Sequence, residues 1–131
     1  MNVEVELSRI IINEQSDQQI IVLKERHGQR GFPIVIGIVE IFAIDRRLKG
    51  IKAPRPMTHD LLDSVIDNLG AKIEKIVIND LRNHTFYAQI HLSSNGRTVK
   101  IDSRPSDAIA LGAASNIPIF VAEHVFDKTS Q

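Results

Sequence analysis

The sequence has no cysteine, and this absence removes several kinds of chemistry at once. Disulfide bonds, thiolate catalysis and cysteine-ligated zinc are all excluded, and the absence fits a reducing compartment. A chain of 131 residues has the length of one domain and buries roughly two-thirds of its unfolded surface without covalent crosslinks. We therefore predict a single domain over residues 1–131 with a frayed tail over residues 127–131.

An excess of either charge is also missing, because 16 basic residues balance 16 acidic ones. Proteins that bind nucleic acid often carry a basic excess or a basic stripe, and this sequence shows neither. Any affinity for nucleic acid would therefore have to come from locally clustered cations or from a bound metal ion.

A secretion signal and a membrane span are missing as well. The start, MNVE, has neither the basic nor the apolar region of a signal peptide. The longest apolar-rich run, residues 32–44, is interrupted by Pro33, Gly37 and Glu40 and is too short to cross a bilayer. These features predict a cytoplasmic protein that does not bind membranes.

Common catalytic motifs are absent too. The sequence has no glycine-rich phosphate loop, no dinucleotide fingerprint, no G-x-S-x-G elbow and no pair of histidines at zinc-ligand spacing. If this protein is an enzyme, its site is assembled from scattered residues.

What is present is a mixture of strand and helix signals. Apolar and polar residues alternate over residues 3–8, which predicts a strand, and residues 19–25 complete a hairpin. A third strand is predicted over residues 32–37, and a later three-stranded meander turns at Asn95-Gly96. Strands and helices do not alternate regularly, so we predict an α+β fold with a mostly antiparallel sheet and three short helices.

The second and third predicted helices begin in similar segments, RPMTHD (residues 55–60) and RPSD (residues 104–107). A structural interpretation is that Thr58, and Ser103 or Ser106, cap the helices, while the aspartates interact with the helix dipoles. This interpretation does not explain Asp102, or an arginine at the positive end of a helix. The alternative is a site in which the arginine and the free N–H groups of the helix terminus bind a phosphate.

His59 has two interpretations as well. It faces water beside the helix cap, or it acts as a base next to an aspartate that orients it or binds a metal. The local sequence favours the first, and the other four histidines are predicted to be structural.

Five segments taken together resemble the bifunctional nuclease domain family. They are FPIVIGIVE, PRPMTHDLL, VINDLRNHTFYAQIHL, IDSRPSDAIALG and PIFVAEHV, in this order and at family-like spacing. The resemblance implies an α+β fold, homo-oligomers, and nuclease activity on RNA and DNA. Its polar positions in this sequence are Glu40, Arg55, Thr58, His59, Asp60, Asp80, Asp102, Ser103, Arg104, Ser106 and Asp107.

One functional hypothesis is a metal-assisted nuclease acting on RNA or DNA, without an organic cofactor. The candidate catalytic residues are Glu40, His59, Asp60, Asp102 and Asp107. The candidate substrate-binding residues are Arg55, Thr58, Ser103, Arg104 and Ser106. The candidate ligands of a Mg²⁺ or Mn²⁺ ion are Asp60, Asp102 and Asp107, because hard cations prefer oxygen ligands.

The other hypothesis is a non-enzymatic oligomeric scaffold or small-ligand-binding module, in which the same residues form caps and buried ion pairs. Convergence of the aspartates on one open cleft favours the nuclease, whereas full pairing with arginines favours the scaffold. On either hypothesis we expect a homo-oligomer, most simply a dimer. The apolar residues expected to form its interface are Phe32, Ile38, Ile41 and Phe42.

Overall fold

The computed structural model describes residues 1–130, which form seven strands and four helices. In chain order these are β1 (Asn2–Ile11), β2 (Gln19–Glu25), β3 (Gly31–Ile36), α1 (Ile38–Leu48), α2 (Thr58–Asn68), β4 (Lys72–Arg82), β5 (Thr85–Ser94), β6 (Arg97–Ser103), α3 (Pro105–Ala113), β7 (Ile119–Ala122) and α4 (Glu123–Thr129). No helix within these residues is long and apolar enough to cross a membrane.

All seven strands belong to one sheet, in the order β3-β2-β1-β7-β4-β5-β6. The short strand β7 joins the N-terminal three strands to the later meander, since it pairs antiparallel with β1 and parallel with β4. Every other neighbouring pair is antiparallel. The predicted α+β fold with a mostly antiparallel sheet is therefore confirmed.

Helix α3 lies at the centre of the molecule. Seven of its nine residues are buried, including Ala108, Ile109 and Leu111, as expected for a helix that is apolar on all sides. The sheet curls around the core. The evidence is a contact between distant strands: the ring of Phe32 on β3 stacks on that of Phe86 on β5, with the ring centroids 5.4 Å apart. These two strands stand far apart in the strand order, so only a strongly curved sheet brings them together.

The fourth helix was not predicted. Helix α4 includes Asp127 to Thr129, part of the tail expected to fray, and residue 131 lies outside the described residues. The helix is held by Val125 and Phe126, which are buried, and Phe126 packs edge-on against Phe32. A helix of seven residues is too short to show a clear period in sequence, and tertiary packing decides whether it forms.

The expectation about the apolar interface residues is wrong for two of the four. Phe32 and Ile41, which were expected at an oligomer interface, are buried in the core. Helix α2, by contrast, has no buried residue, although it carries a regular apolar stripe. The exposed members of that stripe are Leu61, Leu62, Val65 and Leu69.

Candidate active site at the start of helix α3

The start of α3 is set by Arg104 and Pro105. Arg104 is the N-cap residue and Pro105 occupies the first helical position, where its missing N–H group costs nothing. The predicted capping by Ser103 or Ser106 is wrong: the Ser103 hydroxyl donates to the Arg104 carbonyl at 2.8 Å, and Ser106 is buried. No side chain caps α3, and its first turn carries the charged residue Asp107.

Asp107 is the centre of that charged group. Its Oδ1 lies 3.0 Å from Nε2 of His59 in α2, and its Oδ2 accepts a hydrogen bond of 2.9 Å from Nε of Arg104. The Arg104 guanidinium also lies 3.6 Å from the carboxylate of Glu40 in α1. Three helices thus contribute one line of contacts, Glu40–Arg104–Asp107–His59, in which His59 is the one member that comes from the first arginine–proline segment.

Hydrogen bonding keeps this group ionised. Burial opposes the charge on Asp107, but the hydrogen bonds from Arg104 and His59 outweigh burial and lower the pKa of the carboxyl. The bond to Asp107, followed by the charge of Asp107, raises the pKa of the Arg104 guanidinium. The structure therefore places a carboxylate beside the His59 ring, whose side chain is only 13% exposed.

An open groove of ≈ 650 Å³ runs beside His59 and Asp107. Its lining includes Tyr87 on β5 and, at the edge of the sheet, Ile101. A second groove of ≈ 430 Å³ is lined by Ser106 and residues of β3, and the Arg104 side chain borders both grooves. Because that side chain is 64% exposed, its guanidinium is available to a ligand in either groove.

Asp60 belongs to a different cluster, which corrects its predicted place beside Asp107. Its two oxygens bind Arg46 and Arg47, and it also accepts a hydrogen bond of 3.0 Å from the Met57 backbone N–H. Met57 is the N-cap of α2, so the predicted capping by Thr58 is wrong as well. Burial opposes the charge on Asp60, but these partners outweigh it and lower its pKa.

Arg47 is the key residue of this second cluster. It is 7% exposed and donates to the carbonyls of Ala110 and Leu111 at 2.7 and 3.2 Å. These carbonyls lie in the last turn of α3, where a helix leaves its acceptors unpaired. The cluster therefore ties α1 and α2 to the end of α3 and has a structural role.

The three carboxylates predicted as metal ligands do not converge. Both oxygens of Asp60 bind arginines, both oxygens of Asp107 are engaged, and Asp102 lies on exposed β6 opposite Gln89. Within residues 1–130, no group of three His, Cys, Asp or Glu side chains is arranged to hold a metal ion. The residues described here thus do not fit a metal bound jointly by these three aspartates.

Only some of the remaining predicted residues line the groove. Thr58, Asp102 and Ser103 line it, whereas Arg55 is exposed and forms no ion pair within residues 1–130. Asp80 lies near the end of β4, where the hydrogen bond that the Leu81 backbone N–H donates to its carboxylate comes first among the causes that lower its pKa.

Tyr87, which lines the groove, and Arg82, which contacts its ring, were not among the predicted site residues. The Arg82 guanidinium lies 4.1 Å from the centre of the ring of Tyr87, a residue that lines the groove. Tyr87 precedes Gln89 and His91 on the polar side of a predicted strand, and an aromatic ring in such a row was the available signal. Arg47 was missed too, although it continues the helical spacing of the buried Ile41 and Ile44.

The chain belongs to the bifunctional nuclease domain family, whose model matches residues 21–131. It is also similar to an uncharacterized protein of Mycobacterium tuberculosis (strain H37Rv), with 37% identity over 122 residues. That match covers 93% of this chain and 73% of the mycobacterial protein.

Similarity to plant proteins is lower and covers a smaller part of them. "Bifunctional nuclease 1" of Oryza sativa subsp. indica is 23% identical over 118 residues, which are 87% of this chain and 36% of the rice protein. "Bifunctional nuclease 1" of Arabidopsis thaliana is 26% identical over 109 residues, which are 80% of this chain and 34% of that protein. The chain thus spans about a third of the length of these plant relatives.

Proposed function

We propose that this protein is a nuclease that hydrolyses phosphodiester bonds in RNA or DNA, and that His59 and Asp107 form its acid–base pair. The observation that carries the proposal is the 3.0 Å contact between His59 Nε2 and Asp107 in an open groove beside an exposed arginine. The names of the plant relatives support the same class of reaction.

In this proposal each side chain has one role. With Asp107 ionised, Nε2 of His59 carries the proton that is donated to the carboxylate, which leaves Nδ1 as the basic atom. Nδ1 takes the proton from a water molecule whose oxygen forms the new bond to phosphorus. The bond from phosphorus to the leaving oxygen then breaks, and the protonated His59 returns a proton to that oxygen.

Arg104 supplies positive charge to the phosphate. Its Nε is used by Asp107 and Nη2 lies 3.6 Å from Glu40, while Nη1 makes no hydrogen bond to the described residues. A guanidinium can pair with two phosphate oxygens at once, which stabilises the charge that develops on them. Glu40 and Asp107 orient the arginine from two sides and are positioning residues for this interaction.

Tyr87 and Arg82 extend the binding surface away from the reacting phosphate. A base stacks on the Tyr87 ring, and the neighbouring phosphate interacts with Arg82 at the rim. Such a local site explains how a chain with 16 basic and 16 acidic residues binds a polyanion without a basic excess.

The scaffold hypothesis is favoured by two observations, the structural cluster around Arg47 and Asp60 and the failure of the three predicted aspartates to converge on one cleft. That cluster, however, lies outside the groove of His59, and it accounts for only the first of the two arginine–proline segments. We retain a divalent ion, Mg²⁺ or Mn²⁺, as a requirement to be tested and assign no ligands to it.

The test is cleavage of end-labelled single-stranded RNA and DNA by the purified chain, in EDTA, Mg²⁺ or Mn²⁺. We expect cleavage that His59→Gln lowers about 100-fold or more, since a positioned acid–base group contributes that much. The matched control is His27→Gln, because His27 is exposed in the turn between β2 and β3 and does not line the groove. No cleavage under any condition, or equal rates for the wild type and His59→Gln, would overturn the proposal.

A further inference from the structure

Strand β6 is an open edge of the sheet. It pairs only with β5 among the described residues, and six of its seven residues are exposed. Val99 and Ile101 are 39% and 42% exposed, respectively, on a strand whose outer N–H and C=O groups have no strand beside them. An edge of this kind readily pairs with another strand.

The two faces of β6 differ in chemistry. Ile101 lies opposite Ile90 and Val99 opposite Leu92, so both share the apolar face that packs towards α3. Lys100 and Asp102 alternate with them and therefore point to the other face of the sheet. The sequence of the strand thus places one cation and one anion symmetrically on either side of Ile101.

We propose that two copies of this chain associate by antiparallel pairing of β6 with β6, centred on Ile101. In this register Ile101 faces Ile101 of the second copy on the apolar face. Lys100 of each copy lies opposite Asp102 of the other, which gives two ion pairs across the seam. The same surface serves both copies, as a two-fold interface requires.

Neighbouring registers lack this complementarity. To keep the apolar faces on the same side, a two-fold axis must pass through a residue of the strand rather than between two residues. An axis at Lys100 or at Asp102 brings identical charges together, and an axis at Val99 leaves Lys100 opposite Thr98. The axis at Ile101 alone combines an apolar central pair with opposite charges beside it.

The seam borders the groove of the candidate active site. Ile101, Asp102 and Ser103 line that groove, and the proposed register brings Val99 of the second copy opposite Ser103. The second copy therefore completes the groove wall facing the exposed Leu62 of α2. The pairing itself does not depend on the proposed nuclease activity.

The absence of native cysteine makes a crosslinking test clean. Directly opposite residues in an antiparallel pair have Cα atoms about 4.5–5.5 Å apart, which a disulfide spans. We expect Ile101→Cys to give a disulfide-linked dimer under mild oxidation. The control is Val99→Cys, whose two copies would be separated by about four residues along the seam, roughly 13 Å at 3.4 Å per residue.

A charge test complements the crosslinking. By light scattering, the wild type should be a dimer at micromolar concentration, and Lys100→Asp should raise the dissociation constant roughly tenfold or more. The double variant Lys100→Asp/Asp102→Lys should restore the wild-type constant. Circular dichroism checks that each variant is folded.

Two outcomes would overturn the proposal. One is a monomeric wild type at these concentrations. The other is a dimer in which Ile101→Cys crosslinks no better than Val99→Cys, because the interface would then lie elsewhere or have another register.

Discussion

The two arginine–proline segments are similar in sequence, but their aspartates make different contacts in the structure. Asp60 and Asp107 occupy the same position, the third of their helices, since the N-caps are Met57 and Arg104. Asp60 binds Arg46 and Arg47 of α1, whereas Asp107 binds His59 and Arg104 beside an open groove. One aspartate therefore joins helices, and the other belongs to a candidate site.

A shift of two residues explains the difference. In α3 the arginine is the N-cap itself, three residues before Asp107, so its guanidinium reaches the carboxylate. In α2 the arginine of the segment, Arg55, lies two residues before the N-cap Met57 and five before Asp60. The α2 aspartate is then available to the arginines of α1, and its paired oxygens leave it little capacity to bind a ligand.

The largest expected effects come from exchanging each aspartate for asparagine. Asp107→Asn should lower nuclease activity about 10²- to 10⁴-fold, because His59 loses the carboxylate that orients it and stabilises its charged form. Asp60→Asn should leave activity per folded molecule unchanged but lower the free energy of unfolding by about 2 kcal/mol, since Arg47 loses a partner inside the protein.

Activity and urea unfolding measured on the same preparations separate the two residues. Asp107→Asn should change the free energy of unfolding by about 1 kcal/mol or less, because its ion pairs are partly exposed. If Asp60→Asn abolished activity while remaining fully folded, Asp60 would belong to the site after all, and the contrast between the two segments would fail.

An intermediate effect is expected from pH. The pKa values of Asp60 and Asp107 are lowered in the folded protein, so each contributes stability that is fully present above its usual value of 3.8. That stability is lost as the pH falls through the lower, folded value. Urea unfolding between pH 6 and pH 2.5 should show this loss in the wild type.

Each asparagine variant should reduce the acid-dependent loss of stability, because asparagine does not titrate. The two variants should behave alike in this measurement, although they differ in activity. A wild-type pH dependence in the Asp107→Asn protein would show that its carboxylate is not held by Arg104 and His59 in solution.

The smallest effects concern the expected caps. Thr58→Ala and Ser103→Ala should each change the free energy of unfolding by less than about 0.5 kcal/mol, whereas a true N-cap typically contributes about 1 kcal/mol. Thermal unfolding measures this difference. A loss near 1 kcal/mol in either variant would mean that its hydroxyl caps the helix in solution, contrary to the structure.

Much of the fold was predictable because it depends on local patterns. The alternation in β1, the turn at Asn95-Gly96 and the regular spacing in α1 are short-range signals that the final structure preserves. The curl of the sheet was not predictable, because the contact between Phe32 and Phe86 joins distant parts of the chain. The exposure of the apolar stripe of α2 was not predictable either, because a period shows that a face is apolar but not what covers it.

The sequence by itself determined the α+β class, most element positions and the set of polar residues from which a site is built. Only the tertiary structure decided which of these residues lie at the candidate site and which join helices to one another. Asp60 binds Arg46 and Arg47, whereas His59, its neighbour in sequence, contacts Asp107. The reason is that successive residues of a helix point in different directions, about 100° apart at 3.6 residues per turn. Which partner each one meets is therefore set by the packing of α1 and α3 around α2, not by the local sequence.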